Sequence, residues 1–194
     1  MPSISMEWFS AYAAQVVMVI SGIFLIAIAS MFLSRRWGAP WIISDDEAIS
    51  RMLQLARLKE GDLLVDLGAG DGRILIQAVK HYDVKAHGFE IDPLRCLLAK
   101  IFIWRRGLSK KIKIKWGNIF EVDFSQADVV TSYLSREANS RLRPIFEKQL
   151  KPGVKVVCNA FPVPGWVPVE IDNINLIFVY QVGNSGDEVI TEFV

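Results

Sequence analysis

An acid, a glycine-paced turn and a second acid stand near the middle of this 194-residue chain. They read Val65-Asp66-Leu67-Gly68-Ala69-Gly70-Asp71-Gly72-Arg73. Glycine tolerates the backbone angles of a sharp strand-to-helix turn and lets a ligand approach the main chain. The spacing is G-x-G-x-G, not the dinucleotide fingerprint G-x-G-x-x-G, whose helix N-terminus must receive a pyrophosphate. Asp66 and Asp71 bring negative charge to that same place, which repels phosphate and suits a cation. S-adenosylmethionine carries two positive groups, a sulfonium and an amino group. Asp66, Gly68, Gly70, Asp71 and Gly72 are therefore read as a turn that binds it.

Further along, Glu90 closes an apolar run at about the distance where an acid meets ribose hydroxyls in such sheets. Asn118, in Trp116-Gly117-Asn118, is placed to read an adenine amino group. The residues after the expected fourth strand, Thr131-Ser132-Tyr133-Leu134, lack the Asn/Asp-Pro-Pro-aromatic clamp of nucleobase amino methylation. Displacement at a sulfonium can rest on positioning and dehydrating the nucleophile. Tyr133 is thus the catalytic candidate, to orient an incoming amine, with simple packing at a strand end as the other reading. His81 and His87 read as structural or exposed, and no His/Asp/Glu spacing suggests a metal.

These groups need a scaffold that brings several strand ends together. Strands are expected over residues 63–67, 86–91, 112–116, 127–134 and 155–161, with helices over 73–81, 93–107 and 136–150 between them, and a first helix to about Leu58 opened by a Ser44/Glu47 capping box. Residues 167–171 and 175–182 read as two more strands joined by a tight turn at Asp172-Asn173. Alternating units of this kind make an α/β, Rossmann-like, mostly parallel sheet with helices on both faces, finished by a C-terminal antiparallel hairpin.

Hydrophobic residues make up 52% of the chain, and the excess is concentrated. Residues 11–33 carry no charge; as a helix they would run about 34 Å, enough for a hydrocarbon core of about 30 Å. Arg35 and Arg36 follow. A cleaved signal peptide (Ala27-Ile28-Ala29) and a buried core helix are alternatives, but the stretch lacks a basic start and a polar face. The expectation is a single-pass anchor in residues 1–36 and a catalytic domain in 37–194, the N-terminus outside and the domain cytoplasmic by the positive-inside rule. Residues 94–104, ending in Arg105-Arg106, read either as core or as a helix resting on a membrane. Cys96 and Cys158 read as buried thiols. A net charge of +1 gives no argument for nucleic acid as a partner.

With Ser44, the glycine turn, Thr131-Ser132-Tyr133-Leu134, Leu150-Lys151-Pro152-Gly153 and Pro164-Gly165-Trp166 in view, the chain resembles the seven-β-strand protein-lysine methyltransferases. These are the compact archaeal enzymes and their membrane-anchored mitochondrial relatives, which act on ATP-synthesis and nucleotide-carrier proteins. The resemblance runs over residues 39–182. It implies a class I methyltransferase sheet and S-adenosylmethionine as cofactor, held by Asp66, Gly68, Gly70, Glu90 and Asn118. It further implies a loop at residues 42–44 folding over the cofactor, and Thr131 to Tyr133 lining a channel for a protein lysine. Thr131 also counts among the cofactor-binding residues. No role carries over to Asn159. The protein substrate with an accessible lysine, a membrane protein among the candidates, competes with two other readings. One is a membrane lipid or quinone methyltransferase, the other a non-catalytic S-adenosylmethionine-binding module.

Overall fold

The computed structural model describes residues 6–37 and 46–184, the side chains of residues 6, 7, 23 and 26–37 excepted. Ser44, and with it the loop at 42–44 and the cap half of the Ser44/Glu47 box, lies outside the described residues. A long helix, α1 (Met6–Trp37), is followed by α2 (Asp46–Ala56), β1 (Leu63–Leu67), α3 (Arg73–Tyr82), β2 (Lys85–Glu90), α4 (Pro93–Arg105), β3 (Ile112–Trp116), β4 (Val129–Ser132), α5 (Arg136–Gln149), β5 (Lys155–Asn159), β6 (Glu170–Asp172) and β7 (Ile177–Gln181).

The seven strands form one sheet in the order β3-β2-β1-β4-β5-β7-β6. β1 to β5 run parallel to one another, while β7 runs antiparallel to both β5 and β6. β3 is an edge, as the lysines alternating along it imply. Strands buried on both faces read as continuous apolar runs, and β1 shows why: Leu64 packs into a core with α2, α3 and α4, and its neighbour Val65 into the core beneath α5. The second core is closed by Phe146, Trp166 and Tyr180, whose rings meet at 5.8 and 5.6 Å. The Pro164-Gly165-Trp166 element is thus structural: Trp166 Nε1 donates to Glu147, and Tyr180 Oη accepts from the Val163 amide at 3.0 Å.

The strand expected over 127–134 is shorter, because only Val129–Ser132 pairs with both β1 and β5. The hairpin turn is wider than the expected two residues. The Asp172 carboxylate accepts from the amides of Ile174 and Asn175 at 3.0 Å, an Asx-type closure. Those bonds and Arg51, at 2.6 Å, hold its pKa down at about 2.

Residues 11–33 fall inside α1, but among the described residues no helix is long and apolar enough to cross a membrane. What is visible is that Val16 to Ile20 are all exposed, more than one full turn of apolar surface.

The glycine turn is seated by Gly88 of β2, which the sequence pattern did not single out. A Cβ there would lie 2.6 Å from Leu75 Cδ1 and 2.8 Å from Ala69 Cβ. Gly88→Ala should lower stability by about 1–3 kcal/mol through overpacking, seen as a fall in thermal midpoint; an unchanged midpoint would mean the turn yields freely.

Candidate active site

The sheet reverses its winding between β1 and β4, and ligands of open α/β sheets bind at the carboxyl ends of the strands at such a point. Asp66 and Thr131 face each other across it in register. Thr131, fully buried, donates its hydroxyl to Asp66 Oδ1 at 2.9 Å. The other carboxyl oxygen, Oδ2, is buried without a hydrogen-bond partner among the described residues. Burial pushes the Asp66 pKa up to about 7, with the Thr131 hydrogen bond opposing and Glu90 and Asp71 adding to the rise. Such an acid is poised to gain from a cation arriving beside it.

The turn above it is built by main-chain bonds. The amides of Gly68 and Ala69 both donate to the Phe89 carbonyl, at 2.9 and 3.0 Å. Gly70, at φ 54°, donates to Glu90 Oε2 at 2.7 Å. A Cβ on Gly70 would meet nothing nearer than its own turn's Gly68 carbonyl at 4.0 Å, so the main chain there is open to a ligand. Glu90 is buried; its Oε1 accepts from the Asp92 amide at 2.9 Å. Burial raises the Glu90 pKa, and those two amides oppose the rise. Asp92, a residue missed at the level of sequence, caps α4 by accepting from Leu94 and Arg95. The Asp92-Pro93 pair directly after a strand-ending acid was the available signal.

The remaining expected residues divide. Gly72, at φ 80°, opens α3. Asp71 is turned to Arg73, which it meets at 2.8 Å, so its charge is largely answered by that guanidinium. Asn118 is held by Phe120 N–H and by its own donation to Glu121 at 2.7 Å. Thr131 reaches the crevice only through Asp66, and Ser132 is equally buried, its hydroxyl 3.3 Å from Cys158 Sγ. Neither side chain is exposed. Tyr133 is the half-buried member of that segment and the only one of 131–134 not sealed in the core. Burial drives the Cys158 thiol up to about 12, so both cysteines are inert interior groups. His81 is exposed at the end of α3, while His87 faces Lys113 and Lys115, its pKa lowered by burial and by those charges. Asn159 is buried and donates to the Asn175 carbonyl. Among the described residues no group of three His, Cys, Asp or Glu could hold a metal.

The residues present fit S-adenosylmethionine: a buried acid with an orphaned oxygen, an open glycine cradle and a second buried acid one strand away. The model of the ANTKMT methyltransferase domain matches residues 66–170. A protein-lysine N-methyltransferase of Saccharolobus islandicus is 40% identical over 151 residues, covering 74% of this chain and 94% of the relative. This chain belongs to that methyltransferase family. It is an S-adenosylmethionine-dependent methyltransferase with the seven-stranded class I sheet. The mouse adenine nucleotide translocase lysine N-methyltransferase is 29% identical, covering 79% of this chain and 68% of the relative. A solved RNA methyltransferase of Salinibacter ruber, in complex with S-adenosyl-L-homocysteine, superposes with a TM-score of 0.71 at 34% identity, covering 79% of this chain and 99% of that one.

For this methyltransferase the Thr131–Asp66 bond has a readable consequence. Thr131→Val removes the hydrogen bond that favours the carboxylate, so the Asp66 pKa should climb further above 7. Cofactor affinity at pH 7 should fall by about 1.5–3 kcal/mol, the worth of a hydrogen bond to a charged group, and the gap from the parent should narrow toward pH 9. Titration calorimetry across that range checks it; a deficit independent of pH would assign Thr131 to packing alone.

Proposed function

We propose that this chain is a protein-lysine N-methyltransferase working at a membrane surface, with α1 as its anchor. The observation that carries the acceptor is the likeness to relatives that are themselves lysine N-methyltransferases, one of them matched over 94% of its length. The anchor rests on the charge-free stretch at 11–33, its following arginines, and the exposed apolar residues Val16 to Ile20 of α1. In this reading the catalytic domain is cytoplasmic.

The roles follow from where each group stands. S-adenosylmethionine, when bound, supplies a methyl group on a positively charged sulfur. Asp66 provides the buried negative charge facing the cofactor's cationic end, and Thr131 keeps that carboxylate oriented. Gly68, Gly70 and Gly72 let the main chain come close. Glu90 receives the ribose hydroxyls and Asn118 the adenine edge, each exchanging a present internal hydrogen bond for one to the ligand. Asp71 contributes by fixing Arg73 and the start of α3. Ser44, outside the described residues, belongs to the loop expected to fold over the cofactor. Tyr133, at the mouth, orients the lysine amine in line with the methyl group, and the amine must arrive neutral. Its proton is lost to water before the amine enters the site, where desolvation disfavours charge.

The Salinibacter structure's name raises RNA as a second acceptor. Here the segment after β4 is Thr131-Ser132-Tyr133-Leu134, without the proline-flanked clamp that holds a flipped base. A lipid or quinone acceptor suits the same membrane location, and a module that binds without turnover is the remaining reading.

Labelled S-adenosylmethionine, the full-length chain and membranes separate these outcomes. Methyl-lysine in the protein hydrolysate is expected. Label in the organic phase or in RNA would overturn the acceptor, and binding without any transfer would overturn the enzyme. Asp66→Ala should abolish label in each case, since removing one partner of a buried charge pair costs about 2–5 kcal/mol.

A further inference from the structure

Helix α4 is apolar on two opposite sides. Cys96, Ala99 and Ile103 are buried against the sheet, while Leu97, Leu98, Ile101 and Trp104 stand exposed on the far side, Trp104 to 72%. At 3.6 residues per turn those four fall in one stripe roughly 120° wide. The other helices of the domain turn polar residues outward: Ser50 and Gln54 of α2, Lys80 of α3, Ser140 and Lys148 of α5.

The same region is strongly basic. Residues 93–116 hold eight lysines and arginines and no acid, although the whole chain carries only +1. Lys100, Ser109, Lys113 and Lys115 line a depression beside Ile103 and Ile114, between α4 and the β3 edge. Lysines along an edge strand also prevent strands of other chains from pairing there. That explains β3 but not the outward stripe of α4, nor Arg105, Arg106 and Lys110 at the helix's end.

An apolar stripe rimmed by basic groups is the composition of a helix lying in the headgroup layer of an anionic bilayer. We propose that α4 and the loop after it dock the catalytic domain onto an anionic lipid surface, as a contact separate from α1. Two features of the fold support this occupant over another. α1 touches α4, so the surface continues the proposed anchor. α4 also begins three residues beyond Glu90, so a bilayer against its flank reaches the rim of the cofactor crevice. Docking would then turn the mouth toward amines held close to the membrane plane. The inference does not depend on lysine being the acceptor.

The test uses the full-length chain in vesicles of phosphatidylcholine with or without phosphatidylglycerol. A nitroxide is placed at Leu98→Cys, or at Ser140→Cys on α5 as a control; the native cysteines are buried. With phosphatidylglycerol, the label at 98 should become accessible to oxygen and shielded from a water-soluble nickel chelate, while the label at 140 stays in water. A basic residue near an anionic surface strengthens association about fivefold, so Lys100→Glu with Arg105→Glu and Lys110→Glu, which reverse three charges, should weaken docking by at least about a hundredfold and return the label to water. A label at 98 that stays in water on anionic vesicles would overturn the proposal. So would shielding that is equal on phosphatidylcholine alone and indifferent to the charge reversals, or shielding by polyuridylate without lipid. If α1 is no anchor, docking persists as salt-reversible binding to the same vesicles, which distinguishes the two failures.

Discussion

A carboxyl group buried where the sheet changes its winding is the constraint around which this active site is built. Asp66 has one oxygen satisfied by Thr131 and one left without a partner. A buried, half-satisfied acid is costly, and the sign of that cost is fixed by its pKa. The unfolded chain ionises Asp66 near its ordinary 3.8 and the fold only near 7. The ligand-free fold therefore loses stability from this group as pH rises from about 4 to about 7, and the loss is constant above that. A cation bound against Asp66 reverses the preference. The same burial that burdens the empty fold strengthens the electrostatic attraction for a positively charged cofactor.

The neighbouring elements serve that arrangement. Gly88 clears space for Ala69, the Phe89 carbonyl takes two amides of the turn, and Glu90 ties down the third through Gly70. Asp92 links Glu90 to the cap of α4. A shift in any of these moves the orphaned oxygen relative to the cradle above it. This explains why the acid, the turn and the strand-ending glutamate are close in sequence as well as in space. They belong to one β-α-β unit whose connections are short.

Much of this was legible in the sequence because it is written in local patterns. β1 and β3 match residues 63–67 and 112–116 to the residue, and the order of strands and helices follows from alternation of period and turn residues. What was not legible depended on tertiary pairing. The fourth strand shortened to the four residues that pair on both sides, and the hairpin turn widened because Asp172 closes it through Ile174 and Asn175. Thr131 was read as facing the ligand, since a one-residue parity decides which side chains a strand end exposes, and the register with Asp66 is visible only in the sheet. Asp71 was read as charge for the cofactor; its ion pair with Arg73, two positions on, was not read from the sequence. The apolar residues of α4 read either as core or as a membrane-facing surface; Cys96, Ala99 and Ile103 are core, while Leu97, Leu98, Ile101 and Trp104 are exposed.

The central claim is that Asp66 stays protonated in the empty site and becomes ionised when the cofactor binds. Calorimetric titration of S-adenosylmethionine into the full-length enzyme, in buffers of different ionisation enthalpy, counts the protons exchanged. The account predicts release of about one proton per site at pH 6, falling toward zero by about pH 8.5, and none with Asp66→Asn. Binding at pH 6 without proton release, or the same release from the asparagine variant, would contradict it.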